Sequence, residues 1–296
     1  MFMFAEVERK LRMMRKVFES MEISEDLRGY SWDKPPVEPI NDVRLSISDI
    51  NGFCPTRRDA FVKYVLREKP RMNQHMVRGL AYHKVIRDTL VALKKAVYSG
   101  ITSGEELVEL FFSNNEIPEK ISKNLGVDLK ECLKLYRFLV LQISARVDEV
   151  LSKYPDSDDE NIVGLALPPF VEKRVDGSLV GLSKHLSVDV FTPHAVLDFK
   201  SGYSKEEHML GLAGYALAIE ADEEIDVNYG FLIYIRVDKN VHFRPAGFVV
   251  GDELRREFIE VRDEIAELVD SGIDPGKPNQ CPKFCSYYGV CNEGCD

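Results

Sequence analysis

The sequence predicts a mixed α/β fold: a mixed sheet flanked by helices, with a helical N-terminal part before it and a metal-binding cysteine tail after it. Three observations carry this. Helical periodicity dominates up to about residue 153, short β-type runs broken by Pro, Gly or Asp-Gly follow Pro155, and four of the six cysteines fall in the last sixteen residues.

The elements follow in order. Residues 1–45 read as an N-terminal helical extension and linker: 1–22 carry apolar and basic residues at helical spacing, and 28–43 hold Gly29, Pro35, Pro36 and Pro39, which favour an extended connector. Residues 46–155 read as a helical region. Ser46 to Arg67 is a capped turn running into a helix, 74–98 a long helix closed by Ser99-Gly100, and 103–153 further helices broken near Asn114-Asn115 and Gly126. Residues 156–270 read as the core. Runs 162–171, 171–182, 186–191 and 195–200 are expected as strands, 205–220 as a helix, 228–237 and 241–249 as strands, and 251–269 as a last helix. Residues 271–296 form the tail.

With 296 residues, 45% hydrophobic and 30% charged, the chain is of ordinary globular composition. No stretch of eighteen uncharged apolar residues exists, which argues against a membrane span, and the N-terminus lacks the pattern of a secretory signal, so a cytoplasmic location is expected. The net charge of −10 weighs against nucleic acid as a partner, but a local basic groove works on an acidic protein. Candidates for it are Arg57, Arg58, Lys63, Arg67, Arg71, Arg78, Lys84 and Arg87, with the acidic excess elsewhere, as in 156–160 and 220–226.

The most informative segment is Ser187-Val-Asp189-Val-Phe-Thr-Pro-His-Ala-Val-Leu-Asp198-Phe-Lys200. A four-residue loop, Thr192 to Ala195, centred between Pro193 and His194, sets Asp189 opposite Asp198 and Ser187 opposite Lys200. Alternation puts Asp198 and Lys200 on one face with Asp189 beside them. Facing carboxylates repel, and a divalent cation between them is the natural compensation. Lys200 would then hold developing phosphate charge or help activate water. A solvated surface hairpin is the bland alternative, opposed by the apolar neighbours Val196, Leu197 and Phe199.

His83, in Gly79-Leu-Ala-Tyr-His83, is a candidate third ligand, acceptable beside two carboxylates for Mn²⁺; a packed helical histidine is the alternative. Glu172 could orient a metal-bound water or simply be exposed. Tyr215, on the helix after Lys200, is expected to pack against the sheet, with His208 about two turns earlier in reach of substrate. In the tail, Cys281, Cys285, Cys291 and Cys295 form a closely spaced thiolate set that suits an iron–sulfur cluster, with Cys54 well placed as a ligand from a distant part of the chain; a zinc site on the four tail cysteines is the alternative. Cys132, among leucines on a helix, reads as a core residue.

From about Leu45 to Cys295 these elements, in this order, resemble the RecB-like PD-(D/E)xK nucleases, and within them the CRISPR-associated exonucleases of the Cas-four type; the long N-terminal extension is similar to the larger Csa-one subtype. The resemblance implies a RecB-like core in which His83, Asp189 and Asp198 bind Mn²⁺ or Mg²⁺, Lys200 is the catalytic lysine, and Tyr215 belongs to a helical motif at the site. It implies a [4Fe–4S] cluster on Cys54, Cys281, Cys285 and Cys291 that joins the N- and C-terminal segments. It also implies cleavage of DNA, chiefly single strands from an end, in the trimming of fragments before spacer integration, with CRISPR integrase proteins as partners. Two departures stand out. Gly211 lies where the family's helix usually carries Gln, and Cys281 and Cys285 are separated by three residues where two are common, which leaves Cys295 as a competing ligand. A DNA-end-binding scaffold subunit of the adaptation complex and a RecB-like repair nuclease are the competing functions.

Overall fold

A computed structural model describes residues 3–18, 22–101, 103–202 and 204–292. Helix α1 spans Met3–Phe18, and two 3-10 turns, Glu25–Leu27 and Gly29–Ser31, begin the connector. This connector is not a free extended segment: Leu27 and Val37 are buried, and the buried Arg262 guanidinium donates to the carbonyls of Pro36, Val37, Glu38 and Val180. Helices α2 (Ile47–Ile50), α3 (Arg58–Tyr64), α4 (Gln74–Tyr98), α5 (Gly104–Phe112), α6 (Glu116–Leu125), α7 (Leu129–Lys153) and α8 (Asp159–Ala166) follow. The start of α4 is fixed by Asn73, whose side chain accepts from Met76 N–H, and that of α7 by Asp128, which accepts from Lys130 N–H.

Helix α8 corrects the expected strand at 162–171. The Asp158 side chain accepts from Asn161 N–H, and Asp159 and Glu160 occupy the first turn, where carboxylates favour the helix dipole. The apolar residues Ile162, Val163 and Ala166 then cover one helical stripe. The strands begin only at β1 (Phe170–Val175), followed by β2 (Leu186–Thr192), β3 (Ala195–Ser201), α9 (His208–Glu223), β4 (Tyr229–Val237), β5 (Val241–Val249), α10 (Asp252–Ser271) and the short α11 (Tyr288–Asn292).

The sheet is five-stranded in the order β1-β2-β3-β4-β5, antiparallel except for β3 and β4, which run parallel across α9. A parallel central pair must be covered on both faces, and Ala195 to Phe199 and Tyr229 to Ile235 are buried throughout. One face packs its Leu197, Phe199, Phe231 and Ile233 against α4 to α8. The other packs Val196, Leu232 and Tyr234 against α2, α9, α10 and the connector. The mixed sheet flanked by helices is therefore as the sequence predicts.

Candidate functional site

The hairpin register is the expected one, with Val190 opposite Leu197 and Phe191 opposite Val196, but the turn is tighter. Thr192 pairs with Ala195, so only Pro193 and His194 reverse the chain, and His194 takes a φ of 67°. The β2–β3 ladder stops short of Asp189 and Asp198, and Ser187 pairs with Arg174 of β1 rather than with Lys200. In place of the next rung, Phe199 N–H donates to Asp189 Oδ2 at 2.7 Å, which seats the Asp189 carboxylate beside Asp198.

The opening of this rung has a visible cause. Val188 and Phe191 point to the α9 face but Val190 to the α4 face, so alternation in β2 breaks around Asp189. In β1, Glu172 lies between the pairs Val171–Val190 and Lys173–Val188, is itself unpaired in the ladder, and holds a φ of 50°. Such a left-handed conformation is costly for a non-glycine residue. The Glu172 carboxylate accepts from Arg87 at 3.2 Å, one helical turn beyond His83, so the structure makes it an anchor between β1 and α4.

Helix α4 delivers His83 because Gly79 lets it approach β3: a Cβ at Gly79 would stand 2.8 Å from Ser201 Oγ. One turn later His83 Nδ1 lies 3.0 Å from Asp189 Oδ1. Burial pulls the imidazole pKa down, but the bond to Asp189 and the charges of Asp189 and Asp198 outweigh it and leave it raised.

Asp198 is only 3% exposed. Lys200 Nζ lies 2.7 Å from its Oδ2 as an ion pair, yet that buried oxygen makes no well-aligned hydrogen bond. Burial, with Asp189 adding repulsion and Lys200 opposing, pushes the Asp198 carboxyl up to about 6. Lys200 is lowered by burial but raised more by Asp198 and Asp189, so it stays charged. Tyr215 packs under the sheet as expected and also stands in the field of both carboxylates: burial, then Asp198 and Asp189, keep its hydroxyl protonated. His208, lowered to about 4 by burial and by Lys200 and Lys205, is neutral and lies 3.2 Å from the Tyr234 hydroxyl. Tyr234 pairs with Lys200 in the β3–β4 register and was not singled out by sequence, since nothing in a buried strand marks one tyrosine.

Gly211 does not leave a void at its place on α9. A Cβ there would meet Asn51 Nδ2 at 2.7 Å, and Asn51 Oδ1 is buried without a hydrogen-bond partner. Sequence gave no sign that Asn51 takes this space.

Two carboxylates, one of them with a buried oxygen without an aligned donor, and an imidazole fit a hard divalent cation in donor chemistry, with the Lys200 ammonium beside them as a counter-charge. Among the described residues no three or more His, Cys, Asp or Glu are grouped tightly enough to hold a metal ion as they stand.

Cys54, Cys281, Cys285 and Cys291 are free thiols. Burial raises those of Cys281, Cys285 and Cys291; Cys281 feels Cys291, Cys285 and Cys54, and Cys291 feels Cys285 and Cys54, so the four are neighbours. The tail is tied down by the bidentate Arg58–Asp274 pair, by Thr56 Oγ1 donating to Gly276 O, by Asn73 donating to Phe284 O and by a small core of Phe61, Val62 and Tyr287. A set of four soft thiol donors fits an iron–sulfur cluster. Cys295 lies outside the described residues, and Cys132 is fully buried between helices, its thiol pushed up to about 11 by burial.

Several of the basic-groove candidates are held in ion pairs. Arg58, Lys63, Arg78 and Arg87 are spent on Asp274, Asp49, Glu131, and Asp88 with Glu172. Nor is all of 220–226 an acidic surface, since Glu220 is fully buried between Arg28 and Arg255.

The family model for "CRISPR-associated exonuclease Csa1" matches residues 1–294. A protein of that name from Thermoproteus tenax is 34% identical over 292 residues, covering 98% of this chain and 99% of the relative. Another from Saccharolobus solfataricus is 33% identical over 278 residues, covering 91% and 92%. The chain belongs to the family of CRISPR-associated exonucleases Csa1.

Proposed function

We propose that this chain is a metal-dependent deoxyribonuclease that trims DNA ends, chiefly single-stranded, for spacer acquisition alongside the CRISPR integrase proteins. The observation that carries the reading is the buried Asp198 oxygen without an aligned donor, set beside Asp189, His83 and Lys200. Asp189, Asp198 and His83 would hold Mn²⁺ or Mg²⁺. When bound, such an ion polarises a phosphoryl oxygen and supplies hydroxide-like water at neutral pH.

The chain's own groups do the rest. Lys200, kept charged, faces the developing negative charge on the scissile phosphate and is the group placed to steer the attacking water. Tyr215 remains a neutral donor at the edge of the carboxylates, and Glu172 with Arg87 fixes the strained rung that opens Asp189. Cys54, Cys281, Cys285 and Cys291 would hold a [4Fe–4S] cluster that joins the segment before α3 to the tail.

The test is cleavage of end-labelled single-stranded DNA with Mn²⁺ by protein purified without oxygen. Turnover lost in Asp198→Ala and Lys200→Ala, with DNA binding retained, is expected; cleavage unchanged in both would overturn the reading.

A further inference from the structure

The tail, the segment between α2 and α3 and the stretch between β3 and α9 build a feature that catalysis does not use. Phe53 and Phe284 are 37% and 55% exposed, their rings 5.3 Å apart at an interplanar angle of 54°. Lys205 Nζ sits 4.9 Å from the Phe53 ring centroid and makes no ion pair among the described residues. The pair is held, not dangling. Phe284 lies in a turn closed by Cys285 N–H donating to Pro282 O, and its carbonyl accepts from Asn73 at 2.7 Å, while Arg71 N–H donates to Ser286 O. Two phenyl rings thus stand partly in water side by side, that of Phe284 on an anchored turn.

Two elements connect this platform to the catalytic groups. Lys205 follows Lys200 by five residues, just past the end of β3. Along α4, Asn73 caps the helix that carries His83 ten residues later, roughly 15 Å at 1.5 Å per residue. Between them the exposed Met76 and Leu80 lie on the His83 side of the helix, at spacings of four and three residues. Through these two elements the rings are linked along the chain to the segments that carry Lys200 and His83.

We infer that Phe53 and Phe284, with Lys205, form a stacking platform for unpaired nucleobases of a DNA strand whose backbone leads into the site. Aromatic faces accept any base, a neighbouring ammonium attracts the phosphates, and only an unpaired strand offers free base faces. The inference rests on the nuclease reading and adds how single strands are selected. A protein partner covering the same rings is the competing occupant, and Lys205, which makes no ion pair among the described residues and follows Lys200 by five residues, favours the polyanion.

The test compares binding of a thymine oligonucleotide and an abasic oligonucleotide of equal length to the full chain in Ca²⁺, by fluorescence anisotropy. The wild type is expected to prefer the base-bearing strand. Phe53→Leu with Phe284→Leu should cost that preference on the order of tenfold per ring and leave abasic binding unchanged, and Trp at both positions should restore it. Equal wild-type affinity for the two strands, or a double Leu variant that keeps the preference, would overturn the platform and leave the rings to a protein partner. A wild type that binds neither strand would overturn the nuclease reading itself.

Discussion

At the scale of single residues, Asp198 is where opposing requirements meet. It is buried beside Asp189, which raises its pKa to about 6, and it is held charged at neutral pH by Lys200. On the proposed reading a proton and a divalent ion compete for it. The affinity for Mn²⁺ should therefore fall as pH drops, first through protonation of His83, whose pKa is also raised, and more steeply below about 6 as Asp198 is protonated too, which isothermal titration across that range measures. The sign follows from the raised value, because the proton is bound more tightly than on an ordinary carboxylate. An affinity flat down to pH 5 would mean that Asp198 is not a ligand. Lys200→Ala should lower turnover on the order of 10² to 10³-fold while ion affinity is kept, since it removes charge stabilisation and not a ligand.

At the scale of elements, much was legible in the sequence and the misses have physical reasons. The hairpin register was legible over Val190 to Thr192 and Ala195 to Leu197, because turn length leaves little freedom there, whereas the open rung at Asp189 was not. The helix at 74–98 has its expected bounds because Asn73 and Ser99-Gly100 punctuate it. Helix α8 was missed because Ile162, Val163, Leu165 and Ala166 alone suit either state, and the Asp158 cap decides it. The broken alternation at Glu172 was invisible, since left-handed backbone at a glutamate is imposed by tertiary packing. So was the partner of Gly211, which depends on how α2 docks on α9. Gly211→Gln should destabilise the fold by about 1–3 kcal/mol, because the new side chain meets Asn51 and Ile47, and thermal unfolding reads this. The paired change Asn51→Gly should recover part of the loss.

At the scale of the whole molecule, two devices tie distant segments together. Glu220, buried on α9, accepts from Arg28, Gly29 N–H, Val227 N–H and Arg255, so the connector, the segment leading into β4 and α10 converge on one carboxylate. Burial alone would raise its pKa; Arg255 and the bonds from Gly29 and Arg28 prevail and lower it. A lowered carboxylate stabilises the fold above the ordinary carboxylate range, and that contribution is lost as pH falls through the depressed value. Glu220→Gln should cost on the order of 3–5 kcal/mol at neutral pH by stranding two buried guanidinium groups, and the difference from wild type should shrink in acid. The cysteine set is the second device. If it holds a cluster, Cys54→Ser should bleach the protein and lower its unfolding temperature together, as metal binding and folding are coupled. A variant that keeps both colour and stability would remove Cys54 from the ligand set.

The measurement that bears most directly on the account is Mn²⁺-dependent cleavage of end-labelled single-stranded DNA by the intact chain and by Asp198→Asn, which preserves size and removes the charge. Release of nucleotides from an end is expected from the wild type, none without a divalent ion, and none from the variant even though it still binds the strand. Cleavage by Asp198→Asn at the wild-type rate, or cleavage by the wild type in excess chelator, would contradict it.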